Sequence, residues 1–314
     1  MSDPAIPTAA GAAKPRTSLS AASLALLAVL TLFWGMNWPV MKIGLAEMPL
    51  FTYRAFCLGG AALGMFAIGF ARGSNMRLPR GHRVKMAAIA LFNITTWNVL
   101  MLFGLMLLPA GRTSILAFTM PLWLVVLSAL ILGERLNGWR LAGLGVGLIG
   151  LAVLIGGEWS ALARAPLGTA LVLSAAVCWA IGTVMIKKFR LPMEDVPFVA
   201  WQLLLGGLPI VAAALILDRG QWGQWEQWSA PAWGSVIYNI AIAFVLCYWI
   251  WNRLVTTLPA QISGLSTLMI PVVGVFSSML VLGERPGWPE FSALALISLA
   301  LTLVLRPSRQ TSVN

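Results

Sequence analysis

Ten long apolar runs, separated by short polar or charged loops, set the pattern of the chain. They cover residues 21–45, 50–71, 84–107, 111–132, 139–157, 167–188, 195–217, 230–252, 258–282 and 289–306. A hydrocarbon core about 30 Å thick needs roughly 20 residues of helix to cross it. The pattern therefore predicts an all-α integral membrane protein with ten transmembrane helices. Residues 1–20, rich in Ala, Pro and Ser, are predicted to be a disordered tail, and residues 307–314 a second tail.

One part of this pattern occurs twice. Residues 108–135 read LPAGRTSILAFTMPLWLVVLSALILGER, and residues 258–285 read LPAQISGLSTLMIPVVGVFSSMLVLGER. Eleven of the 28 aligned positions are identical, at a constant offset of 150 and without a gap. WGMNWPVMK at 34–42 also matches WAIGTVMIK at 179–187, and Asn93-Ile94 matches Asn239-Ile240. The chain thus divides into two repeats of five helices, residues 21–157 and 167–306.

Five helices in each repeat mean that the second repeat enters the membrane from the opposite side. Such inverted repeats are typical of transporters, whose substrate site lies near the bilayer midplane where the repeats meet. With a cytoplasmic N-terminus, most of the 21 basic residues fall on the cytoplasmic side, including those at 72–85 and 187–190. Because cytoplasmic loops carry an excess of Lys and Arg, both tails are predicted to be cytoplasmic.

Composition and short motifs exclude several classes of protein. The chain is 59% hydrophobic and 10% charged, whereas soluble proteins carry about 25% charged residues. The net charge of +11 is spread over clusters between apolar runs, so no basic face for a nucleic acid is expected. Cys57, Cys178 and Cys247 lie in apolar runs without CxxC spacing and are interpreted as buried apolar residues. Without GxxxxGK, HExxH or GxSxG, no enzyme activity, cofactor or metal is predicted.

Several motifs at matching places of the two repeats resemble a known family. They are Trp34-Gly35 with Lys42, Trp179-Ala180 with Lys187, Arg54 early in helix 2, and LPA…Pro…LGER in both copies. On these residues the chain resembles the drug/metabolite transporter superfamily, with two EamA-type domains covering nearly everything beyond residue 20. The resemblance implies that helices 1–4 and 6–9 surround a central cavity, with helices 5 and 10 outside it. Within the superfamily, the chain is similar to bacterial exporters of amino acids, including aromatic ones, which implies a bacterial inner membrane.

Polar and aromatic residues at mid-depth are the candidates for substrate binding. Neutral amides with indole walls suit a zwitterion that carries an apolar or aromatic side chain. The candidates are Asn37, Trp38, Asn93, Trp97, Asn98, Trp179, Trp201, Gln202, Tyr238 and Asn239, with Trp34 and Tyr248 close to them in sequence. The alternative is that the amides hold helices together and the Trp residues form interfacial belts. Arg54 is expected to reach the interface more readily than to bind a substrate carboxylate.

Two prolines and two acid–base pairs are candidates for a hinge and a gate. Pro121 and Pro271 lie in the middle of their apolar runs, where proline kinks a helix. Each kink is interpreted either as a hinge or as a structural feature alone. Glu134-Arg135 and Glu284-Arg285 end helices 4 and 9. Each pair is interpreted as an interfacial pair that caps the next helix or, because the repeats are inverted, as a gate latch at one face.

The positions of the acids bear on the mechanism. None of the ten acidic residues lies in the middle of an apolar run, and His82 is in a loop. A proton-coupled carrier usually keeps an ionisable group inside the membrane, so facilitated transport without strong proton coupling is predicted. The chain is expected to export amino acids or similar small metabolites by alternating access, as a monomer or homodimer in a lipid bilayer. An exporter of drug-like or nucleoside-type metabolites, a non-transporting receptor and a channel are the alternatives.

Overall fold

The computed structural model describes residues 21–133, 138–156, 166–221, 224–257 and 269–304. In these ranges nearly every residue is helical and no residue is in a strand. The prediction of an all-α protein is therefore confirmed.

The described residues form ten helical rods, and seven of them, α1–α4 and α6–α8, are long and apolar enough to cross a membrane. The other three have shorter apolar segments, Leu141–Gly150, Ile270–Leu282 and Trp288–Ala300. The ten rods are α1 (Ala21–Glu47), α2 (Leu50–Ala71), α3 (Arg83–Ala90, Leu91–Thr96 and Trp97–Leu107), α4 (Ala110–Ala117 and Met120–Leu132), α5 (Gly138–Gly156), α6 (Pro166–Phe189), α7 (Asp195–Leu217), α8 (Ala230–Tyr238, Asn239–Leu246 and Cys247–Thr257), α9 (Met269–Leu282) and α10 (Trp288–Val304).

Helices of the two halves interleave. Helix α2 packs along α7, and α5 packs along α10. Helix α1 contacts α9 and α8, while its counterpart α6 contacts α4 and α3. Likewise α2 contacts α8, and its counterpart α7 contacts α3. Each of these contacts thus recurs between the matching helices of the other half, and α1–α4 and α6–α9 enclose the centre of the molecule while α5 and α10 pair with each other.

A π-helical segment interrupts α3 at Leu91–Thr96, and another interrupts α8 at Asn239–Leu246. These segments lie at matching places, because the repeated Asn93 and Asn239 fall in them. A π-helical turn changes the regular pattern of backbone hydrogen bonds, and side chains of a membrane protein can bind the carbonyls involved. The carbonyl of Ile94 accepts from the N–H of Trp97 and, over 2.7 Å, from Nδ2 of Asn98.

Helix α4 is interrupted at Pro121 and does not pass through it as one kinked helix. The chain turns at Phe118 and Thr119, and Pro121 lies in the first turn of the second segment. Proline lacks the N–H that a helix interior needs but fits the first turn, where that N–H has no partner. The expectation of a kink in a continuous helix is corrected here. Pro271 is buried in the first turn of α9, and residues 258–268 before it lie outside the described residues.

Candidate functional site: an aromatic cavity between the two halves

A cavity lies at the centre of the molecule, where α1, α2, α3, α4, α6 and α8 meet. Its walls surround about 570 Å³ of space between atoms, counted with its opening to the outside. Both halves contribute to the wall. The lining residues are Trp34, Asn37, Trp38, Met41, Arg54, Trp97, Asn98, Met101, Phe118, Met120, Trp179, Ala243, Phe244 and Tyr248.

Aromatic rings in contact with one another form most of this wall. The ring centroids of Trp97 and Trp179 are 5.0 Å apart, and those of Trp179 and Tyr248 are 6.1 Å apart. Trp34 meets Tyr248 edge to face at 5.7 Å. Such ring pairs add stability beyond the area that they bury. The pairs join α1, α3, α6 and α8 and so fix the shape of the cavity.

Arg54 of α2 is the charged residue of the wall. It is 1% exposed, and its Nη1 donates to Oδ1 of Asn239 over 3.3 Å. Its Nη2 is 3.1 Å from the sulfur of Met41, and its Cζ is 5.3 Å from the ring centre of Phe244. Its Nε has no hydrogen-bond partner. The expectation that Arg54 reaches the interface is therefore wrong, because neighbouring helices enclose the side chain and turn it toward the cavity.

Two amides complete the polar part of the wall. Asn98 is 1% exposed, and its Nδ2 is bound to the helix backbone. The Oδ1 atom of Asn37 is buried in the wall and has no hydrogen-bond partner among the described residues. A buried acceptor without a donor is rare in folded proteins, so Asn37 has an unused position for a donor.

Five of the ten predicted binding residues line the cavity: Asn37, Trp38, Trp97, Asn98 and Trp179. The side chains of the other five form hydrogen bonds with other parts of the protein. Asn93 Oδ1 accepts from Nε2 of Gln202 over 2.9 Å, so these two amides join α3 to α7. The indole of Trp201 donates to the carbonyl of Met76, the hydroxyl of Tyr238 to the carbonyl of Phe33, and the amide of Asn239 to the hydroxyl of Tyr53. For these five, the alternative of holding helices together matches their contacts.

Several lining residues were not singled out in the sequence. They are Met41, Met101, Phe118, Met120, Ala243 and Phe244. Apolar residues that face a cavity have the same types as those packed in a core, so nothing in their identity marks them. Phe118 and Met120 flank the break before Pro121, and a break of a helix near mid-depth is the signal that could have located them.

A second polar site lies at one end of the bundle. The two carboxylate oxygens of Glu284, just after α9, accept from the N–H groups of Ala110 and Gly111 over 2.6 and 3.0 Å. These are unpaired N–H groups in the first turn of α4, and a carboxylate there is favourable. Glu284 thus caps a helix of the other half and not the next helix. It forms no ion pair within the described residues with Arg285, which is exposed. Glu134 and Arg135 lie outside the described residues.

Two more acids make the same kind of link. Asp218, after α7, accepts from the N–H and the hydroxyl of Thr52 in the first turn of α2, over 2.8 and 2.7 Å. Glu47, at the end of α1, accepts from the N–H and the hydroxyl of Ser229 before α8, over 2.7 and 2.6 Å. Each of the three acids connects the end of a helix in one half to the start of a helix in the other. We call this end of the bundle the capped face, defined by Glu47, Asp218 and Glu284.

Two cations reinforce the capped face. The ammonium of Lys42 on α1 donates to the carbonyls of Leu105 and Leu108 at the end of α3. Arg112 on α4 forms an ion pair with Glu290 on α10, with 2.7 Å between Nη2 and Oε1. A cation at the C-terminal end of a helix is favourable. The capped face is therefore closed by contacts that run from α1 through α3 and α4 to α9 and α10.

Comparison with known proteins identifies the family to which the chain belongs. The sequence profile described as the EamA-like transporter family matches residues 20–156 and again residues 166–306. The chain belongs to the EamA-like transporter family. The resemblance to drug/metabolite transporters with two EamA domains is thereby confirmed, and the apolar helices agree with a multi-pass membrane protein.

Individual relatives cover most of the chain. It is 31% identical to the uncharacterized transporter YvbV of Bacillus subtilis (strain 168), over 94% of this chain and 93% of that protein. It is 30% identical to a probable amino-acid metabolite efflux pump of Escherichia coli (strain K12), over 88% of this chain and 92% of that protein. A crystal structure with 21% identity superposes with a TM-score of 0.65, over 91% of this chain and 99% of the other. That last likeness concerns the fold alone.

Proposed function

We propose that this EamA-family protein exports amino acids, including those with aromatic or other apolar side chains, or similar small metabolites, by alternating access. The observation that carries the proposal is the aromatic cavity, which is walled by helices of both halves and holds one charge and two amides. A relative is named a probable amino-acid metabolite efflux pump, and this name agrees with an amphipathic cargo. Trp38, Trp97 and Trp179 contact its apolar part, and Asn37 and Asn98 its polar part.

The architecture that we propose is a ten-helix bundle of two inverted repeats, residues 21–157 and 167–306. The matching contacts of the two halves support it, as does the π-helical segment at the same place in α3 and α8. The excess of basic residues in alternate loops supports cytoplasmic tails in a bacterial inner membrane. In this orientation the capped face is the outer face.

Alternating access requires that the two ends of the cavity open in turn. Pro121 lies in the first turn of a helical segment, where the backbone can change direction without breaking a regular hydrogen bond, and Pro271 is the matching residue of the second half. We assign them to hinges. The caps made by Glu284 and its two companions are the outer gate, and Glu134-Arg135 is the corresponding candidate at the inner face.

Transport is proposed to be facilitated and not strongly coupled to protons. Of the acids in the described residues, none lines the cavity, and a carrier that moves protons usually has an ionisable group that releases them inside the membrane. Excess of the metabolite in the cytosol then sets the direction as export.

Counterflow into proteoliposomes tests the proposed function. Vesicles loaded with unlabelled amino acid are diluted into labelled phenylalanine, tryptophan, leucine or glutamate, with and without a pH gradient. We expect saturable accumulation of the apolar amino acids that depends little on the gradient. Transport of a nucleoside with no transport of any amino acid would contradict the cargo, and rates that scale with the pH gradient would contradict uncoupled transport.

A further inference from the structure

The wall of the cavity contains a positive charge that no acid of the described residues pairs with. Arg54 is 1% exposed and lines the cavity. Among the residues that the structure describes, no Asp or Glu forms an ion pair with it. Asp218, which reaches the first turn of the same helix, bonds to Thr52 instead. The wall of the cavity therefore has one formal positive charge and no acid to balance it.

A buried guanidinium without a counter-ion is expensive to maintain. The guanidinium of arginine is charged in proteins and has only donors to offer, so it needs acceptors or a counter-ion. An amide oxygen, a thioether sulfur and an aromatic ring compensate the charge only in part, and Nε has no partner at all. An ionisable group buried at this depth in a membrane protein is a candidate for function.

The geometry of the guanidinium selects its ligand. Its N–H groups form a planar fork that matches the two oxygens of a carboxylate. A single positive charge suits a ligand with one negative group, because a second negative group would have no counter-ion in the wall. The surrounding rings suit an apolar or aromatic body on the same molecule.

Asn37 provides the second pole of the site. Its buried Oδ1 has no donor, and it lies one helical turn before Met41, whose sulfur contacts Arg54. One turn of helix spans about 5.4 Å, and Asn37 and Arg54 line the same cavity, so a small molecule in the cavity faces both residues.

We propose that Arg54 binds the carboxylate of the cargo and that Asn37 accepts a hydrogen bond from its ammonium. The cargo class is then an α-amino acid with an apolar or aromatic side chain, held between α1 and α2 with its side chain against the aromatic wall. The ammonium assignment rests on the proposed function, whereas the carboxylate assignment holds for any transported monocarboxylate.

A matched ligand series tests the two poles in the purified full-length protein. L-phenylalanine carries both charged groups, 3-phenylpropionate lacks the ammonium, phenethylamine lacks the carboxylate, and phenylalaninamide has an uncharged amide in its place. Binding is followed by quenching of tryptophan fluorescence, and inhibition of counterflow is measured in proteoliposomes. We expect the two carboxylates to bind and the two amines to bind on the order of tenfold more weakly or worse.

Four variants separate the roles of the residues. The Arg54→Gln variant should lose its affinity for L-phenylalanine and 3-phenylpropionate. It should bind phenethylamine at least as well as the wild type, because the positive charge that repels the amine is gone. Arg54→Lys keeps the charge without the fork and should recover part of the affinity. The Asn37→Leu variant should bind L-phenylalanine more weakly and should bind 3-phenylpropionate with unchanged affinity. Arg72→Gln is the control and should behave like the wild type. It removes an exposed arginine that directly follows α2, at the other end of the helix from Arg54.

The outcomes distinguish this inference from the proposed function. If phenylalanine and its amide are transported equally well and Arg54→Gln changes neither, the carboxylate assignment is overturned while the transport of amino acids stands. If 3-phenylpropionate binds through Arg54 but no amino acid is bound or transported, the cargo proposal and the Asn37 assignment fail and the carboxylate assignment stands. If none of the carboxylates binds to a protein that unfolds cooperatively on heating, the inference is wrong.

Discussion

At the scale of single residues, hydrogen bonds divide the buried polar groups into two kinds. Asn93 and Gln202 bind each other and do not line the cavity. Arg54 and Asn37 each leave a buried polar atom unpaired at the cavity wall. In the sequence all four are polar residues in apolar runs. Only the location of their partners separates a residue that holds helices together from one that can bind cargo, because an amide offers the same groups for both tasks.

The amide pair gives a direct test of this division. Asn93→Leu and Gln202→Leu should each lower the stability of the folded protein by about 1–3 kcal/mol, because the remaining amide is buried without a partner. The double variant should lose less than the sum of the two single effects. Thermal unfolding of the four proteins in detergent measures this. Additive losses, together with a changed affinity for phenylalanine in the single variants, would contradict the assignment as a structural pair.

The aromatic wall gives a second prediction at this scale. Trp97→Ala removes a ring that packs against Trp179, tilted by 58° to it at a centroid distance of 5.0 Å. A ring pair contributes about 0.5–1.5 kcal/mol beyond its buried area, so the affinity for an aromatic cargo should fall on the order of tenfold, and that for alanine much less. Competition in counterflow compares the two amino acids. Trp225→Ala, at a tryptophan that is 55% exposed outside the cavity, is the matched control, and an equal loss in both variants would count against a wall role for Trp97.

At the scale of helices, the contact between LPA and LGER explains why the two motifs recur together. In LGER the glycine ends the helix in a left-handed conformation, with φ of 68° at Gly133 and 66° at Gly283. In the second repeat this places Glu284 beyond the helix, against the first turn of α4 that follows Leu108-Pro109. One motif supplies unpaired N–H groups and the other supplies a carboxylate. The matching contact of Glu134 with the start of the second LPA stretch is a prediction, because both lie outside the described residues.

Removal of one cap should therefore weaken a connection between the two halves. Glu284→Gln keeps the shape of the side chain and loses the charge that two N–H groups share. We expect a loss of stability of about 1–2 kcal/mol, seen as a lower midpoint of thermal unfolding in detergent. Glu226→Gln, at an exposed loop acid, is the control. A Glu284→Gln protein as stable as this control would show that the cap contributes little.

At the scale of the whole molecule, the caps are distributed unequally between the two faces. Glu47 and Asp218 close the capped face together with Glu284. At the matching places of the other half the sequence has no acid between residues 68 and 73 in place of Asp218, whereas Glu194 and Asp195 lie just after Pro192, the position that matches Glu47. The link made by Asp218 thus has no counterpart in the other half. The proposed architecture of inverted repeats supplies two similar states, and this difference favours the state in which the capped face is closed.

The combined variant Glu47→Gln, Asp218→Asn and Glu284→Gln should shift the molecule toward opening at the capped face. If the closed state loses about 1–2 kcal/mol of stability relative to the open state, the ratio of the two states changes roughly 5- to 30-fold. The shift can be measured with Met101→Cys in the cavity wall of a protein without its native cysteines, by its rate of labelling with an impermeant maleimide added from the capped side. We expect faster labelling than in the same protein with Glu226→Gln. An unchanged rate would mean that the caps do not control this end of the cavity.

The sequence by itself determined the all-α fold, the apolar helices and the internal repeat, because apolar length and repeated letters are properties of the chain alone. It also pointed to half of the cavity residues, such as Trp97 and Trp179, through their type and depth. Only the tertiary structure placed Arg54 inside the cavity, paired Asn93 with Gln202, and gave Glu284 its partner 174 residues away. These facts depend on which helix faces which. Burial and hydrogen-bond partners come from neighbours distant in the chain, and no local pattern of apolar and polar positions records them.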